Sequence, residues 1–265
     1  MDNRPIGVFD SGVGGLTVAR EIIALTPYEK ICYFGDSARA PYGDLPAETI
    51  ALYARRITGF LMERGVKALA IACNTTDSTY IGQLRKTLPV PVVGVVEPAV
   101  DTASTTAKKS VGLLATTATV NSGAHERLLA LKAPWLSFSA VACPLFVPIV
   151  ENGLSETPEA YAAAAQYFKE LADHEPDAII LGCTHYPYLE KAIRAAAGAD
   201  VNIINPAVNA AKTLQYALER ANLLAAERHD IEHDVFISGD VGKSRFMIDE
   251  AFGGSANVRR LSLSD

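Results

Sequence analysis

Short runs of apolar residues recur along the chain and alternate with segments in which apolar residues return every three to four positions. The runs cover residues 5–9, 30–34, 68–72, 90–95, 111–115, 178–181, 201–204 and 235–238. Runs of this kind predict buried β-strands, and the segments between them predict helices. Because strands that alternate with helices are typical of parallel sheets covered on both faces, we predict an α/β fold with largely parallel sheets.

Two of the segments between the runs carry clear signs of a helix start. In one, Pro46 lies in the predicted first turn, and the apolar residues after it share one face: Ile50, Tyr53, Ile57, Phe60 and Leu61. In the other, Thr157 is the expected N-cap and Pro158 the first helical residue.

Three pairs of similar sequence segments, called stations below, occur in the same order along the chain. Ile6-Gly-Val-Phe-Asp-Ser11 resembles Val111-Gly-Leu-Leu-Ala-Thr116, and Ala68-Leu-Ala-Ile-Ala-Cys-Asn-Thr75 resembles Ala178-Ile-Ile-Leu-Gly-Cys-Thr184. Farther along, Glu97-Pro98-Ala99-Val100 resembles Asn205-Pro206-Ala207-Val208. Chance similarity between apolar strands explains any single match but explains the series less well. The series therefore favours two pseudo-symmetric α/β halves.

The four cysteines fall into two kinds. Cys32 and Cys143 lie inside apolar runs, so we interpret both as small buried hydrophobic residues. Cys73 and Cys183 each follow directly on a predicted strand. Because ligands of such sheets bind at the carboxyl ends of the strands, a pseudo-twofold axis would bring these two thiols face to face across a cleft between the halves.

Two thiols on opposite sides of one substrate suit the racemisation of an amino acid. The intermediate is roughly planar, so one base removes the α-proton and a second group returns a proton from the other face. A thiol has an ordinary pKa of about 8.5 and needs only modest tuning. We expect helix N-termini and nearby donors to supply that tuning and to hold a carboxylate, because Asn74-Thr75 and Thr184-His185 follow the cysteines.

A glycine-rich turn follows the first predicted strand. It reads Asp10-Ser11-Gly12-Val13-Gly14-Gly15 and matches neither a dinucleotide-binding nor a P-loop pattern. Asp10 is interpreted either as a functional carboxylate or as the N-cap of the next helix. Pro41-Tyr42-Gly43 reads as a turn, and Glu151-Asn152-Gly153 reads as a polar turn on its residues alone.

Charge and composition exclude several classes of protein. The chain has 265 residues, 49% of them hydrophobic, which is enough for one large core or two modest ones. The formal net charge is -6 and the basic residues are scattered, which argues against a nucleic-acid partner. No apolar run approaches the roughly 18 residues of a membrane span, and no signal peptide is evident. We therefore expect a soluble cytoplasmic protein without a membrane partner.

Five motifs together resemble those of the glutamate racemases, within the aspartate/glutamate racemase family. They are Gly7-Val-Phe-Asp-Ser-Gly-Val-Gly-Gly-Leu16, Gly35-Asp-Ser-Ala-Arg-Ala-Pro-Tyr-Gly43, Ala72-Cys-Asn-Thr-Thr76, Ala142-Cys-Pro-Leu-Phe-Val-Pro148 and Gly182-Cys-Thr-His-Tyr-Pro187. The resemblance extends from about residue 6 to the region of Ser238-Gly239-Asp240 and implies a cofactor-independent enzyme without a metal. It would supply D-glutamate for peptidoglycan and act as a homodimer.

The resemblance also implies a role for individual residues. Cys73 would deprotonate D-glutamate with help from Asp10, and Cys183 would deprotonate L-glutamate with help from His185 and Glu151. The substrate contacts would come from Asp10, Ser11, Tyr42, Gly43, Asn74, Thr75, Thr184 and His185. The first α/β domain would comprise residues 1–97 and 208–265, and the second would comprise residues 98–207.

Four alternatives remain open on the sequence alone. Aspartate racemase is the nearest, because the length of the substrate cannot be deduced from the sequence. A nucleophilic cysteine hydrolase would need only one of the two thiols. A two-lobed small-molecule binding protein would need neither thiol. A metal site built from Cys73, Cys183, His185 and Asp10 lacks the usual ligand spacing.

Overall fold

The chain forms two compact α/β units in the computed structural model, which describes residues 1–227 and 229–263. One unit comprises Met1–Val95 together with Ala207–Asp265, and the other comprises Val96–Pro206. The chain thus leaves the first unit just before the Glu97-Pro98 station and returns to it just after Asn205-Pro206.

Ten strands and eleven α-helices lie within the described residues. The strands are β1 (Ile6–Asp10), β2 (Ile31–Gly35), β3 (Ala68–Ile71), β4 (Val92–Val93), β5 (Ser110–Ala115), β6 (Ser137–Ala142), β7 (Ala178–Gly182), β8 (Asn202–Ile204), β9 (His233–Ile237) and β10 (Ala256–Arg260). The helices are α1 (Leu16–Leu25), α2 (Ala47–Glu63), α3 (Asn74–Thr87), α4 (Val96–Thr106), α5 (Thr117–Ser122), α6 (Ala124–Lys132), α7 (Phe146–Glu151), α8 (Pro158–Leu171), α9 (Glu190–Ala197), α10 (Pro206–Arg220) and α11 (Val241–Phe252). Single 3₁₀ turns cover Tyr42–Asp44, Ala172–His174 and Tyr186–Leu189. In the part of the chain described here, no helix combines the length and the apolar character needed to cross a bilayer.

The eight predicted strands are all present, and two further strands were missed. The missed strands are β6 and β10, which lie at the outer edges of their sheets. Both are only partly buried, so neither carries the continuous apolar run by which the other strands were identified. Pro158 is the first residue of α8, as predicted, whereas Pro46 is the N-cap of α2 and not part of its first turn.

The two sheets are parallel throughout and share one strand order. The first unit has the order β10-β9-β2-β1-β3-β4, and the second has β6-β5-β7-β8. The strands β2-β1-β3-β4 therefore correspond to β6-β5-β7-β8. This agreement supports the internal repeat at the two stations that fall on strands, β1 with β5 and β3 with β7.

One glycine in each unit shows how closely the repeat is preserved. Gly7 pairs with Leu69 across β1 and β3, and Gly112 pairs with Ile179 across β5 and β7. A β-carbon at Gly7 would lie 2.6 Å from Leu69 Cδ2, and one at Gly112 would lie 2.6 Å from Ile179 Cδ1. A larger residue at either position would therefore force the neighbouring apolar side chain to move.

Each sheet has an apolar core on both faces. In the first unit, Ile6 and Val8 of β1 pack with residues of α1, α10 and α11, while Phe9 faces the opposite core formed with α2. In the second unit, Leu114 packs toward α7, α8 and α9, and Leu113 packs toward α4 and α6. This alternation along single strands produces the layered architecture and leaves the strand ends free to carry polar side chains.

A buried ion pair closes the amino ends of the strands in the first unit. Lys67 Nζ lies 2.6 Å from Glu29 Oε2, and both side chains are almost fully buried. The same ammonium donates to the carbonyl oxygens of Asp2 and Leu223 at 2.5 and 2.6 Å. Glu29 also accepts a hydrogen bond of 2.8 Å from the amide of Ala225. The pair thus fixes the N-terminus and the connection after α10 to the bottom of the sheet.

Candidate active site

Cys73 lies at the carboxyl end of β3, where it forms the N-cap of α3. Its Sγ accepts a hydrogen bond from the Thr76 amide at 3.4 Å and donates to Ser11 Oγ, also at 3.4 Å. Ser11 follows β1, the strand that pairs with β3. The pairing of two neighbouring strands therefore brings together two residues that are 62 positions apart in the chain.

Asp10 is the last residue of β1 and is fully buried. Its Oδ2 accepts a hydrogen bond of 2.9 Å from the amide of Gly12. Helix α1 begins only at Leu16, with Gly15 as its N-cap, so the interpretation of Asp10 as a helix cap is wrong. A β-carbon at Gly15 would lie 2.9 Å from Asp10 Cγ, so the glycine-rich turn permits a close approach to this carboxyl group.

Burial dominates the acidity of the Cys73 thiol. Burial and, to a lesser extent, the neighbouring Asp10 carboxylate raise the pKa of Cys73 to about 11, although the hydrogen bonds with Ser11 and Thr76 act in the opposite direction. The sequence predicted that the helix N-terminus would tune this thiol toward a thiolate. That expectation is wrong for the net effect, because the donors are present but the loss of water outweighs them.

Tyr42 and Gly43 are the first two residues of the 3₁₀ turn Tyr42–Asp44. The Tyr42 side chain belongs to the same apolar cluster as Cys73. The Tyr42 hydroxyl donates a hydrogen bond of 2.5 Å to Asp36 Oδ2, and Ser238 Oγ donates one of 2.7 Å to Asp36 Oδ1. Burial raises the pKa of Tyr42 above its ordinary value, and Asp36 adds to the shift. The phenol therefore remains a donor that is held in place by a buried carboxylate.

Asp36 and Ser238 were not among the residues predicted for the site. Asp36 stands within the Gly35-Asp-Ser motif, directly after β2, and its position after a strand was the available signal. Ser238 lies 202 residues away and reaches Asp36 only because β9 pairs with β2.

Asn74 and Thr75 form the first turn of α3, and both are buried. Within the described residues, Asn74 Oδ1 has no hydrogen-bond partner. A buried amide oxygen without a partner costs free energy unless a ligand or water satisfies it. The Asn74 amide oxygen is therefore an acceptor that a bound ligand would satisfy.

Cys183 follows β7, the strand that corresponds to β3. Its Sγ lies 3.8 Å from His185 Nδ1, and His185 Nε2 lies 3.2 Å from Glu151 Oε1. The histidine is nearly fully buried, whereas the glutamate at the end of α7 is partly exposed. The structure thus brings together the three residues expected on this side. Thr184, which lies between Cys183 and His185 in the sequence, is also buried.

His185 also contacts Glu151, the last residue of α7. The interaction with His185 lowers the pKa of Glu151 below its ordinary value, against the effect of partial burial. In the tautomer that carries its proton on Nε2, toward this carboxylate, Nδ1 is the nitrogen that accepts a proton from the Cys183 thiol. The polar sequence context of Glu151 alone did not indicate this contact.

The other two cysteines behave as the sequence predicts. Cys32 and Cys143 are both buried. Burial raises the pKa of Cys32 to about 12 and raises that of Cys143 well above its ordinary value. Among the side chains that the structure describes, no group of three or more His, Cys, Asp or Glu residues is arranged to hold a metal ion.

Comparison with known proteins gives consistent matches along the chain. The sequence model of the Asp/Glu/Hydantoin racemase family matches residues 15–214. A glutamate racemase from Thermus thermophilus is 44% identical over 262 residues, which cover 98% of this chain and 97% of that protein. The crystal structure of a glutamate racemase isoform from Bacillus anthracis has a TM-score of 0.94 at 36% identity, with 99% of each chain covered. A glutamate racemase from Francisella tularensis in complex with D-glutamate has a TM-score of 0.92 at 33% identity, covering 99% of this chain and 98% of that chain.

Proposed function

Because the chain belongs to the Asp/Glu/Hydantoin racemase family, we propose that it interconverts L- and D-glutamate by proton transfer between two cysteines. The resemblance to glutamate racemases predicted from the sequence is confirmed by relatives that match nearly the whole chain. One observation carries the proposed mechanism. Two buried thiols follow corresponding strands, and each has its own polar partner: Ser11 beside Cys73 and His185 beside Cys183.

The reaction requires a base on one face of the α-carbon and an acid on the other. For L-glutamate, the Cys183 thiolate would take the α-proton, and the electron pair left on carbon would take the proton of the Cys73 thiol. For D-glutamate the two roles are exchanged. No electrons are lost or gained, so the proposed reaction needs neither an oxidant nor a reductant.

Cys73 is the thiol whose protonation state follows from its surroundings. A pKa of about 11 keeps the proton on Cys73 at neutral pH. Cys73 would therefore supply the proton when L-glutamate is the substrate. His185 beside Cys183 supplies the group that can accept and return the proton of that thiol, and Glu151 holds the imidazole.

The remaining predicted residues would bind the substrate. The amides at the start of α3, together with Asn74 and Thr75, suit the α-carboxylate. The buried carboxylate of Asp10, with Ser11 beside it, suits the ammonium group. Tyr42, Gly43, Thr184 and His185 complete the set of predicted contacts. We assign Cys73 to the first domain, predicted as residues 1–97 with 208–265, and Cys183 to the second, predicted as residues 98–207.

We also propose the pathway that the enzyme serves, its location and its oligomeric state. D-Glutamate would serve the synthesis of peptidoglycan, and we place the protein in the cytoplasm as a homodimer. The dimer is tested by light scattering over a range of concentrations. A monomer that keeps full activity at every concentration would contradict it.

A single assay tests the proposed function. Purified protein that is free of pyridoxal phosphate is treated with a chelator, and racemisation of glutamate and aspartate is followed in deuterated water. We expect glutamate to be racemised, with deuterium from the solvent in the product and much less in the unreacted substrate at early times. Activity on aspartate alone would favour aspartate racemase. Loss of activity on chelation that zinc restores would overturn the cofactor-free mechanism.

Binding of glutamate without racemisation of either amino acid would favour a two-lobed binding protein. Hydrolysis of an activated glutamyl ester that survives the replacement of Cys73 but not of Cys183 would favour a nucleophilic cysteine hydrolase. In that case the contact of Cys183 with His185 would activate a nucleophile rather than a base.

A further inference from the structure

We propose that Arg39 is a positioning residue, and that it fastens the C-terminal segment 261–263 to Tyr42 through the Asp36 carboxylate. The inference rests on the proposed function, because Tyr42 is a predicted substrate contact. The segment after β10 would then act as a strap that holds one wall of the Cys73 half of the site. All residues of this strap belong to the first unit.

Arg39 touches both ends of the proposed connection. Its Nη1 lies 3.3 Å from Asp36 Oδ1 and 3.4 Å from Oδ2, and its Nη2 donates a hydrogen bond of 2.8 Å to the carbonyl oxygen of Leu263. The guanidinium carbon lies 4.8 Å from the centre of the Tyr53 ring. The planar fork of an arginine can make these contacts at once, whereas a lysine ammonium cannot reproduce them all.

Asp36 connects Arg39 to the site. The carboxylate is fully buried and accepts hydrogen bonds from Tyr42 and Ser238 in addition to its ion pair with Arg39. A buried carboxylate is tolerated only where such donors and a countercharge surround it. Without Arg39, Asp36 would lose its countercharge, and the hydrogen bond that fixes the Tyr42 hydroxyl would have a less firmly held acceptor.

Segment 261–263 packs against the apolar core that also contains Tyr42 and Cys73. The Leu261 amide donates a hydrogen bond of 2.9 Å to the carbonyl oxygen of Ile237. The side chains of Leu261 and Leu263 pack against the apolar cluster that contains Tyr42 and Cys73. Backbone pairing and apolar packing therefore place the Leu263 carbonyl where Arg39 reaches it.

This arrangement predicts a selective kinetic effect. Tyr42 binds the substrate in the proposed function and is not one of the two bases, so loosening it should weaken binding more than proton transfer. We expect Arg39→Ala, and separately a chain that ends at Arg260, to raise the KM for glutamate about tenfold while kcat stays within about twofold. Arg39→Lys should recover part of the loss. Arg245→Ala is the matched control, because Arg245 makes an exposed ion pair on α11.

The two changes should not be additive if they act through one connection. Arg39→Ala in the shortened chain should raise KM no further than either change alone. Hydrogen exchange of the backbone amides of residues 36–45 supplies a readout that does not depend on racemisation. It should accelerate in Arg39→Ala and in the shortened chain but not in Arg245→Ala.

Unchanged exchange in residues 36–45 in both altered proteins would overturn the strap, as would an unchanged KM. Should the shortened chain fail to fold, Arg39→Ala and Arg39→Lys decide the question alone. Absence of racemisation in the unaltered protein would instead refute the proposed function. The exchange measurement would still test the strap in that case.

Discussion

The Cys73 thiol keeps its proton at neutral pH in the free protein. Burial and the Asp10 carboxylate raise the pKa of this thiol to about 11. At pH 8, a thiol with that pKa is ionised in about one molecule in a thousand. We therefore predict that the rate of alkylation of Cys73 in the free protein rises tenfold per pH unit from pH 7 to 9.5 and shows no plateau.

Replacing Asp10 by asparagine tests the electrostatic part of that shift. Asn keeps an oxygen that can accept from the Gly12 amide but removes the negative charge beside the thiol. Since a like charge disfavours the thiolate, Asp10→Asn should lower the pKa of Cys73 by about one unit. Alkylation at pH 8 should then be about threefold faster, because the thiolate is about ten times more abundant but a weaker nucleophile. Asp101→Asn on α4, which removes an exposed carboxylate of the other unit, should leave the rate unchanged.

The assay is alkylation by iodoacetamide under native conditions, with the modified cysteine identified by mass spectrometry of peptides. Cys32, whose pKa is raised to about 12, serves as an internal comparison and should react more slowly than Cys73. A plateau in the Cys73 rate below pH 8 would show that the thiolate already exists at neutral pH. That result would refute the argument that burial outweighs the donors at the start of α3.

Three further predictions concern the stability of the fold, each measured by urea unfolding. Burial lowers the pKa of His125 from 6.5 to about 4, so the unfolded chain binds the proton first as the pH falls. Stability should drop by about 3 kcal/mol between those two pH values, and His125→Leu should remove that part of the drop. Lys67→Met should cost about 3–5 kcal/mol, because it leaves Glu29 buried without its countercharge. Gly112→Ala should cost about 1–3 kcal/mol through overpacking, whereas Gly82→Ala in helix α3, where the added carbon meets open space, should stabilise by up to about 1 kcal/mol.

The central strands and both thiol positions could be predicted because their signals are local. A buried parallel strand is a continuous apolar run, and Cys73 and Cys183 each stand where such a run stops. The edge strands β6 and β10 could not be found in this way, because they are only partly buried and lack the apolar run that the other two edge strands, β4 and β8, still carry. The residues of β6 and β10 alternate or are polar, as Arg259 and Arg260 in β10 illustrate.

The polar network around Tyr42 could not be predicted from the sequence for a different reason. Asp36, Ser238 and Leu263 are joined only by long-range pairing, and nothing in the neighbourhood of any one of them points to the others. The acidity of Cys73 could not be predicted from the sequence either. Its helix N-terminus was predicted correctly, but the size of the opposing effect depends on burial, which only the packed structure supplies.

The surroundings of Cys73 and Cys183 differ although the strands before them correspond. A cysteine follows each of the strands β3 and β7. Beside Cys73 stand a hydroxyl group and a buried carboxylate, whereas beside Cys183 stands an imidazole that contacts Glu151. Corresponding positions in the two units therefore carry two different sets of polar groups.

The division of labour between the two thiols is tested most directly with a glutamate analogue that carries a leaving group on its β-carbon. Removal of the α-proton alone then leads to elimination, so a single base is enough to give product. Cys73→Ser and Cys183→Ser are each compared with Cys143→Ala, which removes a buried thiol outside the site. We predict that both serine variants lose racemisation, that Cys73→Ser eliminates only from the L-analogue, and that Cys183→Ser eliminates only from the D-analogue. Elimination from the same enantiomer by both variants, or near-normal racemisation by Cys183→Ser, would contradict the two-base account.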